Sequence, residues 1–540
     1  MMLPEDMRLW VEPDHLVWFL VDVIDGLDTS ALRALGTPGK GRPGYDPRML
    51  AVLLVYAYLQ AERSSRKIEA RCRTDAAFRI ATGNRIPDHS TICRFRAAAA
   101  AEGGPLEDLF AKVLFVLASA GLGRLDVISV DGSKIWANAS KEANRTEEGL
   151  RRLARKILDE AARADGEDCS CDGHEHGQAA GPAAGQACGC CDGGVLPGLG
   201  LDGPAVPRGG WGGAPRAERI AAGLAGLEAA RVAREQERRK LAEEYLAAAR
   251  AGTAPPGGVP AEVAVEAAQL RLEQAIAAAR ARIAAWEQAA AAGHARRGPC
   301  PSGEGKEVRK ARRRLAAAVS AREAAAAQAA ASDGQEDKKK KEPRPVRNIT
   351  DPDSRIMHCT LRGSVQAYNA QARRTADGVF LLPRVVQDTN DAGQVRAAFE
   401  DIAASQQIIA AGHAAAGRPG WWSRIGVVLF DPGYFSKASI ELPGPDRLIG
   451  TGAWKDPGPH TPACHHDDPR DQMHHHLSTR QGRDLYRRRA PVSEGGFADL
   501  KQRTGLRQFA MRGTGKAQGE LLLATTAANL ALLYRRTQIA

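Results

Sequence analysis

The sequence predicts an α/β fold class, with a core of strands alternating with helices, a helical segment before it and a long helical insertion within it. Three observations predict it. Short apolar runs at 127–130, 379–386 and 425–430 read as strands, with a helical pattern over 391–409 between the last two. The first 123 residues carry helical patterning alone. Residues 146–345 are rich in Ala, Gly, Arg and Glu, and the alternation stops there and resumes afterwards. The expected organisation is a helical N-terminal domain over 1–123, an α/β domain split between 124–145 and 346–540, and an insertion over 146–345.

In the N-terminal segment, Tyr45-Asp46-Pro47 marks a helix start, with Asp46 as N-cap and Pro47 at the first helical position. The dense apolar run Met49, Leu50, Val52, Leu53, Leu54, Tyr56 and Leu59 follows. A second helix is expected over 65–73, and then a turn at 86–91 leads into a short helix bearing Arg94 and Arg96. Short helices joined by tight turns suit a helix-turn-helix-like DNA module. They suit a plain helical bundle with surface arginines equally well.

The insertion opens on Cys169, Cys171, His174, His176, Cys188, Cys190 and Cys191 in a Gly-rich stretch. The residue types suit zinc, but the Cys-x-Cys and Cys-x-Cys-Cys spacings do not match Cys-x₂-Cys. A disordered Gly-rich segment is the preferred reading. Two long helical runs follow, broken by Pro255-Pro256-Gly257-Gly258. Val265, Leu272, Ala279 and Trp286 repeat every seven residues, and Ile276 and Ile283 fill the alternate seam positions, as in a coiled coil or helical hairpin. Four lysines at 338–341 and Pro343-Arg344-Pro345 close it as a solvated linker. Beyond 346, a third strand is expected at 448–450 and helices at 494–503 and 519–535. Cys464, His465, His466 and His474, His475, His476 between them read as loop, solvated or phosphate-adjacent and not a metal site.

Lys and Arg number 75 against 64 Asp and Glu, a formal net charge of +11, which favours a polyanionic partner such as nucleic acid. Aromatics make up 5%, too few for base stacking to dominate binding. No segment has the length and apolarity of a membrane span, and residues 1–22 lack a basic region before an apolar stretch. The ten cysteines are therefore expected reduced, in the cytoplasm. No Gly-x₄-Gly-Lys-Ser/Thr loop offers an ATP site.

Asp131 directly follows the apolar run 127–130, and Asp431 directly follows 427–430. Ligands bind at the carboxyl ends of strands in open α/β sheets. Two aspartates side by side repel unless a cation lies between them, and a hard cation such as Mg²⁺ takes oxygen ligands. Glu494, Phe497 and Lys501 fall at i, i+3 and i+7 on one helix face, with Tyr486 and Arg489 upstream as phosphate donors.

Several blocks resemble, in order, those of DDE transposases of bacterial insertion sequences. Val130-Asp131-Gly132-Ser133-Lys134-Ile135-Trp136-Ala137-Asn138-Ala139-Ser140 resembles the first-aspartate block. Asn348-Ile349-Thr350-Asp351-Pro352-Asp353-Ser354-Arg355 and Gln366-Ala367-Tyr368-Asn369-Ala370-Gln371 are similar to the two blocks that follow it. Asp431-Pro432-Gly433-Tyr434-Phe435 resembles the second-aspartate block, and Tyr486, Arg489, Glu494 and Lys501 the Tyr-Arg-Glu-Lys signature. Residues 46–96 resemble the family's helical N-terminal domain. Two departures stand out. Arg489 to Glu494 is one residue longer than usual, and Gly495-Gly496 replaces Pro and an apolar residue, at roughly 1 kcal/mol per glycine in a helix.

The resemblance implies an RNase-H-like catalytic domain with Asp131, Asp431 and Glu494 as catalytic and metal-holding residues and two Mg²⁺ (or Mn²⁺) ions. It implies DNA cleavage at terminal inverted repeats, strand transfer into target DNA, and a homo-oligomer assembled on DNA. Arg94, Arg96, Tyr486, Arg489 and Lys501 are the expected DNA contacts. A metal-dependent nuclease without strand transfer and a catalytically defective, transposase-derived DNA-binding protein are the alternatives.

Overall fold

The computed structural model describes residues 6–35, 44–101, 103–168, 213–253, 259–292, 299–331, 345–359, 363–452 and 468–538. The Cys/His-rich stretch at 169–191 and the lysine run at 338–341 lie outside them. Among the described residues one compact unit comprises those up to Gly223 and from Arg347 on, and a second comprises those of 224–346.

The first unit opens with seven helices: α1 (Leu16–Asp25), α2 (Ser30–Arg33), α3 (Pro47–Leu59), α4 (Ser65–Thr74), α5 (Ala76–Ala81), α6 (His89–Ala99) and α7 (Pro105–Ser119). Their starts are written in the sequence. Asp46, Asp75 and Asp88 each accept a backbone N–H from the residue two on, at 2.8–2.9 Å, which satisfies an otherwise orphaned donor. Pro47 and Pro105 occupy first positions, where no N–H is needed.

Strand β1 (Val127–Trp136) follows, then β2 (Asn144–Thr146) and α8 (Glu147–Asp168). The insertion contributes α9 (Gly213–Arg250), α10 (Ala264–Ala291) and α11 (Lys306–Ala331). The chain then forms β3 (Val346–Asn348), β4 (Arg355–Cys359), β5 (Gly363–Thr375), β6 (Arg384–Val386), α12 (Val395–Ala415), β7 (Val427–Phe430), α13 (Lys437–Glu441) and β8 (Asp446–Ile449). It ends with α14 (Pro469–Ser478), α15 (Arg480–Tyr486), α16 (Arg489–Arg503) and α17 (Thr514–Thr537).

The main sheet is mixed, in the order β4-β5-β1-β7-β8. β5 runs antiparallel to both β1 and β4, β7 parallel to β1, and β8 parallel to β7. β6 pairs with β5 beyond β4. β2 and β3 form a separate two-stranded ladder.

Leu53 and Val55 of α3, Phe110 and Val113 of α7, Ile402 of α12 and Leu521 of α17 belong to one core with Ile128 and Val130 of β1 and Phe430 of β7. The first seven helices are thus built into the same core as the sheet, and do not enclose one of their own.

Three expectations change. The strand read at 379–386 is only β6, and the long β5 was not expected. On β5, Asn369, Gln371 and Arg373 share one face and are fully buried, so its polar alternation hides an interior strand. β1 runs on through Asp131 because β5 continues to pair with it as far as Trp136. His474, His475 and His476 lie on α14 and not in a loop, because Asp468 caps it by accepting from Arg470 N and Pro469 takes its first position.

In the second unit the seven-residue repeat is helical, as read. Of its seam positions on α10, Ala279 is buried and Val265, Leu272, Ile276, Ile283 and Trp286 are half-buried. Tyr245, Ala249, Val263 and Ala267 form a small core in the same unit.

One ion cluster ties β5 to α12. Asp401 of α12 is 3% exposed and pairs with Arg373 at 2.8 Å and Arg384 at 2.6 Å; Arg373 is wholly buried. Removing one partner strands a buried charge. Asp401→Ala should lower the unfolding free energy by about 3–5 kcal/mol. Denaturant unfolding checks this, and a loss below about 1 kcal/mol would contradict it.

Candidate active site

The parallel register of β1 and β7 pairs Val130 with Phe430, the last residue of β7. The next residue on each strand is an aspartate, so Asp131 and Asp431 emerge side by side. Asp131 accepts from Gly132 N at 3.0 Å, and Asp431 from Gly433 N at 2.9 Å, where it caps a short 3₁₀ turn. Burial, and then the neighbouring Asp431 charge, pushes the Asp131 carboxyl up to about 6. Burial also raises Asp431, against the Gly433 N–H and the positive charges of Arg489 and Lys134.

A third carboxylate enters from the other face of the sheet. Asp391 precedes α12, and sequence patterning read it only as the start of that helix. Its Oδ1 accepts from Asn369 Nδ2 at 2.6 Å and from Gln371 Nε2 at 2.7 Å. A Cβ on Gly132 would lie 2.5 Å from both that oxygen and Gln371 Nε2, so glycine is what admits the group. The Tyr434 hydroxyl donates to Gln371 Oε1 and closes the network beneath. Both Asp131 and Asp431 are pushed upward by the Asp391 charge. The available signal was the alternation of Asn369 and Gln371 along β5, which demands a buried polar partner.

Helix α16 packs on the Asp131 face. Ser493 and Ser129 share a buried hydroxyl contact, and Phe497 and Leu500 enter the core. Lys501 Nζ donates to Ser133 Oγ at 2.7 Å, and burial pulls its pKa down. Glu494 lies on α16; its side chain is outside the described atoms. Gly495 and Gly496 are explained by Arg374 of β5. A Cβ on either would lie 3.1–3.2 Å from that side chain, whose guanidinium donates to Val492 O. The Tyr486 hydroxyl donates to Phe430 O at 3.1 Å, and the Arg489 guanidinium lies 5.9 Å from the centre of the Tyr486 ring. Glu520, the other glutamate of the C-terminal helices, is wholly buried. It pairs with Arg63 at 3.0 Å and accepts from Ala510 N and Met511 N, a bracing arrangement.

Arg94 and Arg96 part company. Arg94 is exposed on α6. Arg96 is 4% exposed and donates to Arg63 O at 2.6 Å and Ser65 Oγ at 3.4 Å. It braces the helices and has no path to a base edge, so the expectation of a DNA contact at Arg96 is corrected.

The acid pair is an all-oxygen donor set with a repulsion that a hard cation relieves, so it fits Mg²⁺ or Mn²⁺. Among the described residues one trio, Glu69, Asp88 and His89, brings ligand atoms within 4.8 Å of one another. Its Glu69 already pairs with Arg73 and accepts from His89 N and Nδ1, which ties α4 to α6.

The site is thus an acid pair at the end of two parallel strands of a mixed sheet, in a chain that opens with helices. Residues 5–98 match the transposase domain family DUF772, and residues 459–534 match the transposase DDE domain family. Together the matches support a DDE transposase of the insertion-sequence type. The second match spans Tyr486, Arg489, Glu494 and Lys501. Comparisons with curated proteins and with solved structures return no match. Among the described residues no helix is long and apolar enough to cross a membrane.

The raised Asp131 carboxyl has a sign that can be checked. Its folded value, about 6, exceeds the ordinary 3.8, so without metal its charge destabilises the fold above pH 6. That penalty fades as pH falls from 6 to 4. In EDTA, Asp131→Asn should be more stable than the native chain by up to about 3 kcal/mol at pH 8 and equal to it near pH 4. Equal denaturant midpoints at pH 8 would contradict this.

Proposed function

We propose that this transposase cuts DNA at the ends of its element and joins the freed ends to target DNA. The observation that carries the reading is the β1–β7 register, which sets Asp131 beside Asp431, in a chain whose two ends match transposase families. The strand order, with β5 antiparallel and β7 and β8 parallel to β1, supports an RNase-H-like catalytic core.

Asp131 and Asp431 would hold divalent ions, with Glu494 of α16 as the third carboxylate. When bound, such ions supply the charge that activates the attacking oxygen and steadies the leaving one. The chain's own groups do the rest. Arg489 and Lys501 bring positive charge to the acids and offer donors to phosphate oxygens. Tyr486 ties α15 to the Phe430 carbonyl, one residue before Asp431, and so holds that aspartate in register. In the first step water adds to phosphorus and the 3′ oxygen of the element end leaves. In the second that 3′ hydroxyl attacks a target phosphodiester and displaces its 3′ oxygen. The active assembly is a homo-oligomer on DNA, acting on terminal inverted repeats and target.

With Mg²⁺ and DNA carrying the repeats that flank the gene, Asp131→Ala and Asp431→Ala should each slow cleavage and joining by at least about 10³-fold. Repeat binding should stay within about threefold. Either variant cutting at the native rate would refute the reading. Cleavage by the native chain without joining would leave a nuclease.

Base reading is assigned to the exposed face of α6. Arg94→Ala should weaken binding to the terminal repeat by about 1–3 kcal/mol while sparing scrambled DNA. Arg96→Ala should instead lower the unfolding free energy by about 1–3 kcal/mol and favour neither DNA. Competition binding on the two duplexes, beside thermal melts, decides it. Equal losses on both duplexes for Arg94→Ala would place base reading elsewhere.

A further inference from the structure

β1 outruns β7. From Asp131 to Ile135 the edge of β1 that β7 leaves carries no strand among the described residues. Side chains alternate across that open edge. Ser133 and, through it, the Lys501 ammonium lie on the Asp131 face. Gly132 and Lys134 lie on the other, where Gln371 and Asn369 are their partners on β5.

Lys134 is held there in an unusual way. Its Nζ lies 3.6 Å from Asp391 Oδ1, an ion pair too long for a hydrogen bond. That oxygen already takes two amide donors, from Asn369 and Gln371. Among the described residues the ammonium therefore has a counter-charge but no hydrogen-bond acceptor. Its side chain is 17% exposed. A half-buried cation with three unused donors, beside Asp431, is arranged for an acceptor that arrives from outside. Asp391 is fixed by the amides, and it enters only because residue 132 is glycine.

We propose that Lys134 is a phosphate-binding residue of this site, that it and Lys501 grip one DNA phosphodiester from the two faces of β1, and that Asp391 positions it. This deepens the reading above and rests on it. Carboxylates alone repel a phosphodiester. Ammonium groups on both sides offset that repulsion and fix the phosphate's orientation through separate non-bridging oxygens.

The test uses the full-length chain and a duplex ending in its terminal repeat, with Ca²⁺ replacing Mg²⁺ so that DNA is held uncut. Lys134→Ala should bind about 10-fold more weakly at moderate salt, with the slope of log affinity against log salt reduced by about 0.9, the value for one phosphate. Lys134→Arg should retain most of the affinity. Methylphosphonates placed singly along the repeat end should abolish the Lys134→Ala penalty at one position, and that same position should abolish the Lys501→Ala penalty. Asp391→Asn, which keeps the cation but releases its hold, should lower the cleavage rate in Mg²⁺ more than it lowers affinity. Native affinity and salt slope in Lys134→Ala, or a penalty indifferent to every methylphosphonate, would overturn the proposal. Thermal melts establish that each variant folds, and Lys134→Gln replaces Lys134→Ala if the latter does not. Because the Lys134, Lys501 and methylphosphonate arms are binding measurements, active Asp131→Ala and Asp431→Ala enzymes would refute the metal reading without touching their result.

Discussion

The parallel pairing of β1 with β7 is the constraint on which the site depends. Hydrogen bonds that end at Val130 and Phe430 force two aspartates into adjacency, and each is partly removed from water. Left alone, that arrangement is unfavourable, since like charges in a poorly solvated place oppose ionisation. The surroundings are organised around that cost. Backbone N–H groups of Gly132 and Gly433 point at the two carboxylates. Lys134 of β1 and Arg489 and Lys501 of α16 bring positive charge. A fold held in register elsewhere, by β5 and by the core of α3, α7, α12 and α17, carries the strain locally without losing the strands.

Sequence made some of this legible and hid the rest for physical reasons. β7, the first half of β1 and the second half of β8 are apolar and could be read directly. β5 could not, because its buried face is Asn369, Gln371 and Arg373, and such residues announce burial only once their partners are known. Those partners, Asp391, Tyr434 and Asp401, lie up to 63 residues away in the chain. Arg94 and Arg96 make the same point from opposite faces of one helix. Nothing in their spacing says that one meets the Arg63 carbonyl and the other meets solvent. The helix α10 was readable, since a seven-residue period is a local property, but of its buried residues Ala267, Ala268 and Ala279 only Ala279 lies on the seam that period marks.

The glycine pair after Glu494 illustrates how a family's habit can be replaced. Two glycines weaken a helix in isolation. Here they leave room for Arg374, whose guanidinium bonds to the Val492 carbonyl and pairs with Asp499 on the same helix at 3.4 Å. What the helix loses in intrinsic propensity, β5 returns by a cross-element tie.

The distance between pairing strands along the chain also sets the order of events at birth. Val127 must find Val427, 300 positions later. At synthesis rates of about 5–20 residues per second, β1 waits on the order of 15–60 s before its parallel neighbour exists. During that time its apolar residues Ile128 and Val130 can be shielded on one side only after β5 has emerged, and α17 closes the core last of all. Non-local pairing of this kind folds slowly and leaves an unpaired edge open to other chains. The acid pair is consequently assembled only after Asp431 has been made, 300 positions after Asp131, and a product ending before β7 carries no completed pair.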